Sequence, residues 1–188
     1  MAVTAYDPTS RLLLTPEDPD AVLRAQRLDE LGLGAEPAPH LDEAAHQLAG
    51  VAQTPYAMVT LVDGAGQYFA GLHDGLGVYH ARTMPRAHGF CPHVVVRRRA
   101  LVLDDVRDYP RFAANPVVDE YGIRSYLGAP LMHPSGIALG TICAMDRVPR
   151  PWGRSGLDTV KAAAARLTLR ILAADAPATR RRRGGDPI

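Results

Sequence analysis

Two cysteines, Cys91 and Cys143, are all that the 188-residue chain carries. No disulfide framework is implied, and a reducing cytoplasm is the expected compartment. No CxxC or HxxxH spacing is present, so no metal site is indicated. Lysine is almost missing: Lys161 stands alone, and the other 20 basic residues are arginine. That bias, with abundant alanine, is the usage of a GC-rich bacterial genome and says little about mechanism. No apolar run approaches the roughly 20 residues that span a bilayer. The segment MAVTAYDPTS has no basic region followed by an apolar one, so no secretion signal is expected. No internal repeat is visible, and no kinase, cyclase, phosphatase or DNA-binding motif.

A strong charge of one sign is also lacking, since the net charge is +1. It is unevenly spread. Arg180 to Arg183 with Asp186 make the last residues +3, which leaves −2 for the rest. The domain itself therefore has little reason to bind nucleic acid. The four arginines leave a contact with RNA, DNA or an acidic partner open, but a solvated, disordered end is the expectation.

What is present fits one well-cored domain with short flanks. Hydrophobic residues are 47% and charged residues 22% of the chain, ordinary values for a globular protein. Residues 1–19, with Pro8, Pro16 and Pro19, read as a flexible arm with one sticky patch, Leu12-Leu13-Leu14. The domain runs over 20–174, and 175–188 is the arginine-rich tail. Asp20 is placed to cap a helix to about Leu31, with Val22, Ala25, Leu28 and Leu31 on its apolar face. A second helix, His40 to about Ala49, presents Leu41, Ala44, Ala45 and Leu48 and is closed by Gly50. Tyr56–Val62 and Gln67–Leu72 read as a hairpin around Asp63-Gly64-Ala65-Gly66. Residues 73–89 form a long loop, of the kind that is often functional. Pro92 suits the first turn of a short helix, Leu101–Leu103 is a short strand, and Asn115-Pro116 opens another short helix. Ser155 caps a last helix to about Ala174. Its Leu157, Val160, Ala164, Leu167, Ile171 and Ala174 follow a seam-like spacing that suits the domain's own sheet or a dimer bundle equally.

The stretch Gly122 to Asp146, GIRSYLGAPLMHPSGIALGTICAMD, organises the rest. It reads as two buried strands joined by His133-Pro134-Ser135-Gly136. Its near-continuous apolar character places the hairpin inside a sheet covered on both faces. The pattern G-x-R-S-Y-x-G-A-P-L followed by G-x-x-L-G-T-I-C-A-M-D resembles the core hairpin of a GAF domain. Three further segments are similar to that family: the strand ending Val62-Asp63 with Tyr68-Phe69 after it, the F-C-x-H stretch from Phe90 to His93, and Asp104–Phe112 beside the D-x-x-x-D-P-R-F pattern. The resemblance covers about Leu28 to Ala174.

It implies an α+β fold: a central, mostly antiparallel sheet of five or six strands, with the N- and C-terminal helices on one face and loops and short helices on the other. It implies a stand-alone sensory or regulatory module that binds a small ligand or a protein partner. Such a module signals through its terminal helices as a homodimer, to another signalling protein. By the same analogy a ligand pocket would be lined by Tyr68, Phe69, Phe90, Cys91, His93, Tyr109, Phe112 and Tyr126. Alternatives are an interaction scaffold without ligand and a thiol redox enzyme of the free methionine-sulfoxide reductase type. Those reductases generally carry a third cysteine, and neither cysteine here lies in a loop matching theirs.

Bilin-binding members attach their chromophore through a cysteine beside a histidine, ahead of the strand matching Ile123–Leu131. The segment here, Ala113 to Glu120, has neither, which argues against a bilin. The cyclic-nucleotide signature N-K-x-F-x-D-E is echoed only by Asn115, Asp119 and Glu120. Haem has four candidate ligands, His73, His80, His88 and His93, none singled out; the cofactor is thus left unknown. Cys91-x-His93 is open to three readings: part of a metal site, a thiol–imidazole nucleophile, or a small buried hydrophobe beside a structurally bonded histidine. Positions i and i+2 of a helix point apart, which opposes direct contact. For the remaining charges, Arg111 is expected to pair with Asp105 or Asp108, and Asp146 to cap a turn or pair with Arg147 or Arg124. No catalytic residue and no metal ligand is assigned.

Overall fold

The computed structural model describes residues 15–34 and 36–182, with side chains as far as Ala174. The patch Leu12-Leu13-Leu14 lies outside the described residues. Two helices lead, α1 (Ala21–Glu30) and α2 (Pro39–Ala52). The hairpin of β1 (Tyr56–Val62) and β2 (Gly66–Asp74) follows, then a short β3 (Thr83–Pro85). Next come α3 (Cys91–Arg97), β4 (Leu101–Leu103), a 3-10 turn, α4 (Pro110–Ala113) and α5 (Pro116–Glu120). The chain ends with β5 (Ser125–Met132), β6 (Ala138–Asp146) and α6 (Gly153–Arg182).

The six strands form one antiparallel sheet in the order β3-β2-β1-β6-β5-β4. All nine residues of β6 are buried, as expected for an apolar strand flanked by strands on both sides. Alternation, interrupted by a bulge where the register with β5 shifts between Thr141 and Ala138, splits its side chains between two cores. Leu139, Ile142 and Ala144 face a layer made by α1, α2 and α6, while Cys143 and Met145 face the layer made by α3, α4 and α5.

The α2 stripe Leu41, Ala44, Ala45 and Leu48 is buried against β1 and β2, as its spacing predicts. The helix does not stop at Gly50. It runs to Ala52, and Gln53 ends it in the left-handed region at φ 53°. Asp42 ties it to the sheet, accepting from the Leu72 N–H at 2.8 Å and pairing with Arg82 at 2.8 Å. In α6, Val160, Ala164, Leu167 and Ile171 are buried on the domain's own sheet, so the seam serves the fold. The helix continues eight residues past its expected end at Ala174, through the first part of the stretch expected to be disordered.

The first helix departs most from its pattern. Val22 is 69% exposed, whereas Arg24 is fully buried one turn from Leu28. The Arg24 guanidinium closes one end of the sheet. It donates to the Ala138 carbonyl at 2.6 Å, to the Val62 carbonyl at 3.3 Å and to both oxygens of Asp18 at 2.6 and 2.9 Å. Asp18 is also 3.6 Å from Arg86, which donates to the Pro16 carbonyl at 2.7 Å. Residues 16–18 of the expected flexible arm are thus docked on the domain. Asp20 makes no side-chain cap and pairs with Arg98 at 2.5 Å.

Candidate functional site

The site is the face of the sheet opposite the long helices. Strand parity places Tyr56, Met58 and Thr60 of β1, Phe69 of β2, Tyr126 of β5, and Thr141 and Cys143 of β6 on that side. The second layer brings Cys91, His93, Val94 and Val95 on α3, Phe112 on α4, and Val117 and Val118 on α5 down onto it. Asn115 anchors that layer. Its Oδ1 accepts from the Gly89 N–H at 2.8 Å and from the Val117 N–H at 3.3 Å, and its amide donates to the Gly89 carbonyl at 2.9 Å.

Aromatic rings fill the space between the layers. Phe90 lies edge-on to Tyr126 at 5.1 Å and to Phe112 at 5.7 Å, and the His93 ring meets Phe112 edge-on at 5.0 Å. The Tyr126 ring lies back along its own strand over Gly128. A Cβ there would come within 2.2 Å of the Tyr126 hydroxyl oxygen, so only glycine leaves room for it. Tyr79 stacks on Tyr121 at 4.6 Å and meets Tyr56 and Phe69 edge-on at 5.5 and 5.9 Å. Such offset and edge-on contacts are the favoured aromatic geometries.

Six of the eight expected pocket residues converge here: Phe69, Phe90, Cys91, His93, Phe112 and Tyr126, none more than 6% exposed. Two do not. Tyr68 points to the other side of the sheet and packs against the long-helix core, because its strand neighbour Phe69 takes the site face. Tyr109 is 39% exposed at the surface. Tyr56, Tyr79, Tyr121 and Cys143 belong to the cluster and were not among the expected pocket residues. Period-two counting from Met58 and from Met145 could have found Tyr56 and Cys143. Nothing local marks Tyr79, which arrives from a loop.

Two tyrosines and the histidine of the site are uncharged near neutral pH. Burial pushes the Tyr126 phenol well above its usual range, and burial likewise raises Tyr79. His93 is held down at about 4 by burial and by the charges of Arg111, Arg97 and Arg86, so its ring is uncharged near neutral pH. The Cys91 sulfur lies 3.4 Å from the Tyr126 hydroxyl and 3.8 Å from the Cys143 sulfur. Its partners are therefore different from those of His93, whose ring lies on Phe112. The four histidines considered for haem do not converge either. His73 meets His46 at 3.1 Å, His88 is 3.7 Å from Glu120, and His80 is exposed. Among the described residues, no group of three histidine, cysteine or carboxylate side chains is placed to hold a metal ion. Outside the cluster, Asp105 pairs with Arg124 rather than Arg111, with one contact at 3.0 Å. Asp146 caps the turn through the Arg147 N–H at 2.6 Å and pairs with Arg150 at 2.9 Å rather than with Arg147 or Arg124.

A family model for the GAF domain matches residues 38–171. The chain belongs to the GAF domain family. GAF domains are sensory and regulatory modules. The chain is 36% identical over 140 residues to a cyclic di-GMP phosphodiesterase of Pseudomonas aeruginosa, a match covering 72% of this chain. It spans only 22% of the length of that relative. Among solved structures it is similar to the GAF domain of an Acinetobacter phosphoenolpyruvate-protein phosphotransferase. That match has a TM-score of 0.60 at 16% identity, covering 87% of this chain and 99% of the other. It is also similar to a free methionine-R-sulfoxide reductase from Neisseria meningitidis crystallised with its substrate. The TM-score there is 0.57 at 16% identity, covering 95% and 98% of the two chains. At that identity these two structures speak for the GAF fold and not for an activity.

Proposed function

We propose that this GAF domain is a non-catalytic regulatory module that forms a homodimer through its helical layer and passes its state on through α6. One observation carries the reading: α6 keeps a second apolar stripe beside the one it buries. Leu157, Leu169 and Leu172 line a groove of about 850 Å³ against Ala129, Pro130 and Met132 of β5. Leu169 is 68% exposed. Isolated exposed apolar residues are ordinary, but a contiguous groove beside an unpartnered helix stripe is the form of an interaction site. A second copy of α6 fits because it offers the same stripe in return, the self-complementarity that a two-fold interface needs. The relative from Pseudomonas aeruginosa supports a signalling context, since its matching segment is a minor part of a cyclic di-GMP phosphodiesterase.

The test is the native mass of the wild type and of Leu169→Asp. A wild-type dimer and a variant monomer with unchanged far-UV circular dichroism are expected. A dimer that survives the substitution refutes α6 as its seam. The same spectrum tests ligand binding, through any mass beyond the 20.2 kDa chain. A second reading, an interaction scaffold without ligand, is favoured by the closed aromatic cluster. A ligand between the layers would have to part Phe90, Phe112 and Tyr126, two of which are fully buried. A bare mass at every step of purification favours that scaffold.

A further inference from the structure

The two cysteines come from distant parts of the chain, 52 residues apart, yet their sulfurs meet at 3.8 Å in the buried cluster. Cys91 opens α3 in the second layer, and Cys143 sits in β6 with strands on both sides. We propose that Cys91 and Cys143 are a redox-sensitive pair that closes to an intramolecular disulfide when the protein meets a peroxide. A disulfide needs about 2.05 Å between sulfurs, so closure brings the two sulfurs together by about 1.75 Å. A short helix held by side-chain packing can follow such a shift, whereas β6 is fixed by its hydrogen-bonded neighbours.

The surroundings also separate the two thiols. The Cys143 thiol and the Tyr126 hydroxyl lie within hydrogen-bonding reach of the Cys91 sulfur, and the Thr141 and Thr60 side chains face it. The Thr60 and Thr141 hydroxyls are buried with no partner in full hydrogen-bonding geometry, leaving their dipoles free to turn toward a negative sulfur. These donors outweigh burial and favour Cys91 as the thiolate, while the hydrogen bond to Cys91, burial and the Cys91 charge hold Cys143 protonated. Cys91 is also the more accessible, at 5% against 0%. The chemistry then runs in one order. The Cys91 thiolate attacks one peroxide oxygen, the O–O bond breaks, and hydroxide leaves and takes up a proton. Cys143 sulfur next attacks the Cys91 sulfenic sulfur, forming the S–S bond and expelling a second hydroxide, which takes the Cys143 proton. Two thiols and one hydrogen peroxide become one disulfide and two waters. A small thiol reductant reverses the step.

This inference does not rest on the dimer, and its test is independent of it. The fully reduced chain is treated with hydrogen peroxide under native conditions. Intact mass, denatured thiol count, a peptide map and the melting temperature are then read. The expected product has lost both thiols on one time course and the mass of two hydrogens. It yields a Cys91–Cys143 linked peptide and melts several degrees higher, because the cross-link restricts the unfolded chain. Dithiothreitol reverses all four changes. Cys143→Ser is expected to stop at a Cys91 sulfenic acid that a dimedone probe traps, and Cys91→Ser to leave Cys143 unreactive. A gain of two oxygens on Cys91 with Cys143 still free overturns the proposal. So does a cross-link between chains, or survival of both thiols until the protein unfolds.

Discussion

Arg24→Met is the substitution that most directly tests how this fold is closed. The side chain keeps its apolar stem and loses its guanidinium. Arg24 is 0% exposed, and the Asp18 side chain is 4% exposed. Three acceptors depend on it: the Asp18 carboxylate and the Ala138 and Val62 carbonyls. Removing one partner from a buried ion pair costs about 3–5 kcal/mol, since the other charge stays buried. An exposed pair is worth about 0–1 kcal/mol. At about 2–4 °C per kcal/mol for a domain of this size, the melting temperature should fall by about 6–20 °C. Arg27→Met on the same helix is the control, because its pair with Glu30 is solvent-exposed. Urea unfolding followed by circular dichroism, with an unchanged m value, gives both numbers. A loss below about 1 kcal/mol for Arg24→Met would mean that Asp18 regains water or re-pairs with Arg86, and the argument for a buried clamp fails. The pair also has a pH signature. Burial alone would raise the Asp18 carboxyl, but hydrogen bonding and charge from Arg24, with Arg86 adding to it, hold it below its ordinary 3.8. The stabilisation is therefore complete above that value and is lost as pH falls through the lower, folded value. Asp18→Asn should flatten that acid limb.

Gly128→Ala should destabilise the domain by about 1–3 kcal/mol, as overpacking does, because the new methyl would collide with the Tyr126 ring. The double variant with Tyr126→Phe should recover part of that loss, and chemical denaturation of the set decides it. His93 is depressed from 6.5 to about 4, so the unfolded chain binds the extra proton first as pH falls. Its contribution to stability is present above about pH 6.5 and is lost as pH drops toward about 4. His93→Gln should remove that slope, and a ring titrating near 6.5 by NMR would show that the imidazole is solvated.

Much of the architecture was legible in the residues. Tyr56–Val62 and Leu101–Leu103 have the bounds read from their apolar runs, the first because Pro55 and Asp63-Gly64 punctuate it, the second because arginines and aspartates flank it. The hairpin of β5 and β6 announced its central place by carrying almost no polar residue. The candidate site was legible as a set of aromatics and a cysteine, less so as a surface. Tyr68 and Phe69 are neighbours and look alike, and only the register of β2 sends one to each side. The three-residue β3 was lost in a long loop because nothing local marks it. It exists through pairing with residues 66–68.

The family came from a resemblance of motifs, while local pattern determined the order of most elements, the apolar stripe of α2 and the buried central hairpin. These follow from periods of two and 3.6 residues, which act over a few positions of chain. Tertiary structure decided which buried groups meet. Arg24, which no sequence pattern singles out, is the clamp at the sheet's end, because the Ala138 and Val62 carbonyls and Asp18 converge there from three separate segments. The α6 stripe was committed to its own sheet, while Leu157, Leu169 and Leu172 of the same helix line a separate groove. Two cysteines 52 residues apart became neighbours because α3 lies across β6. Contacts of that kind depend on the packing of whole layers, and no short window of sequence contains them.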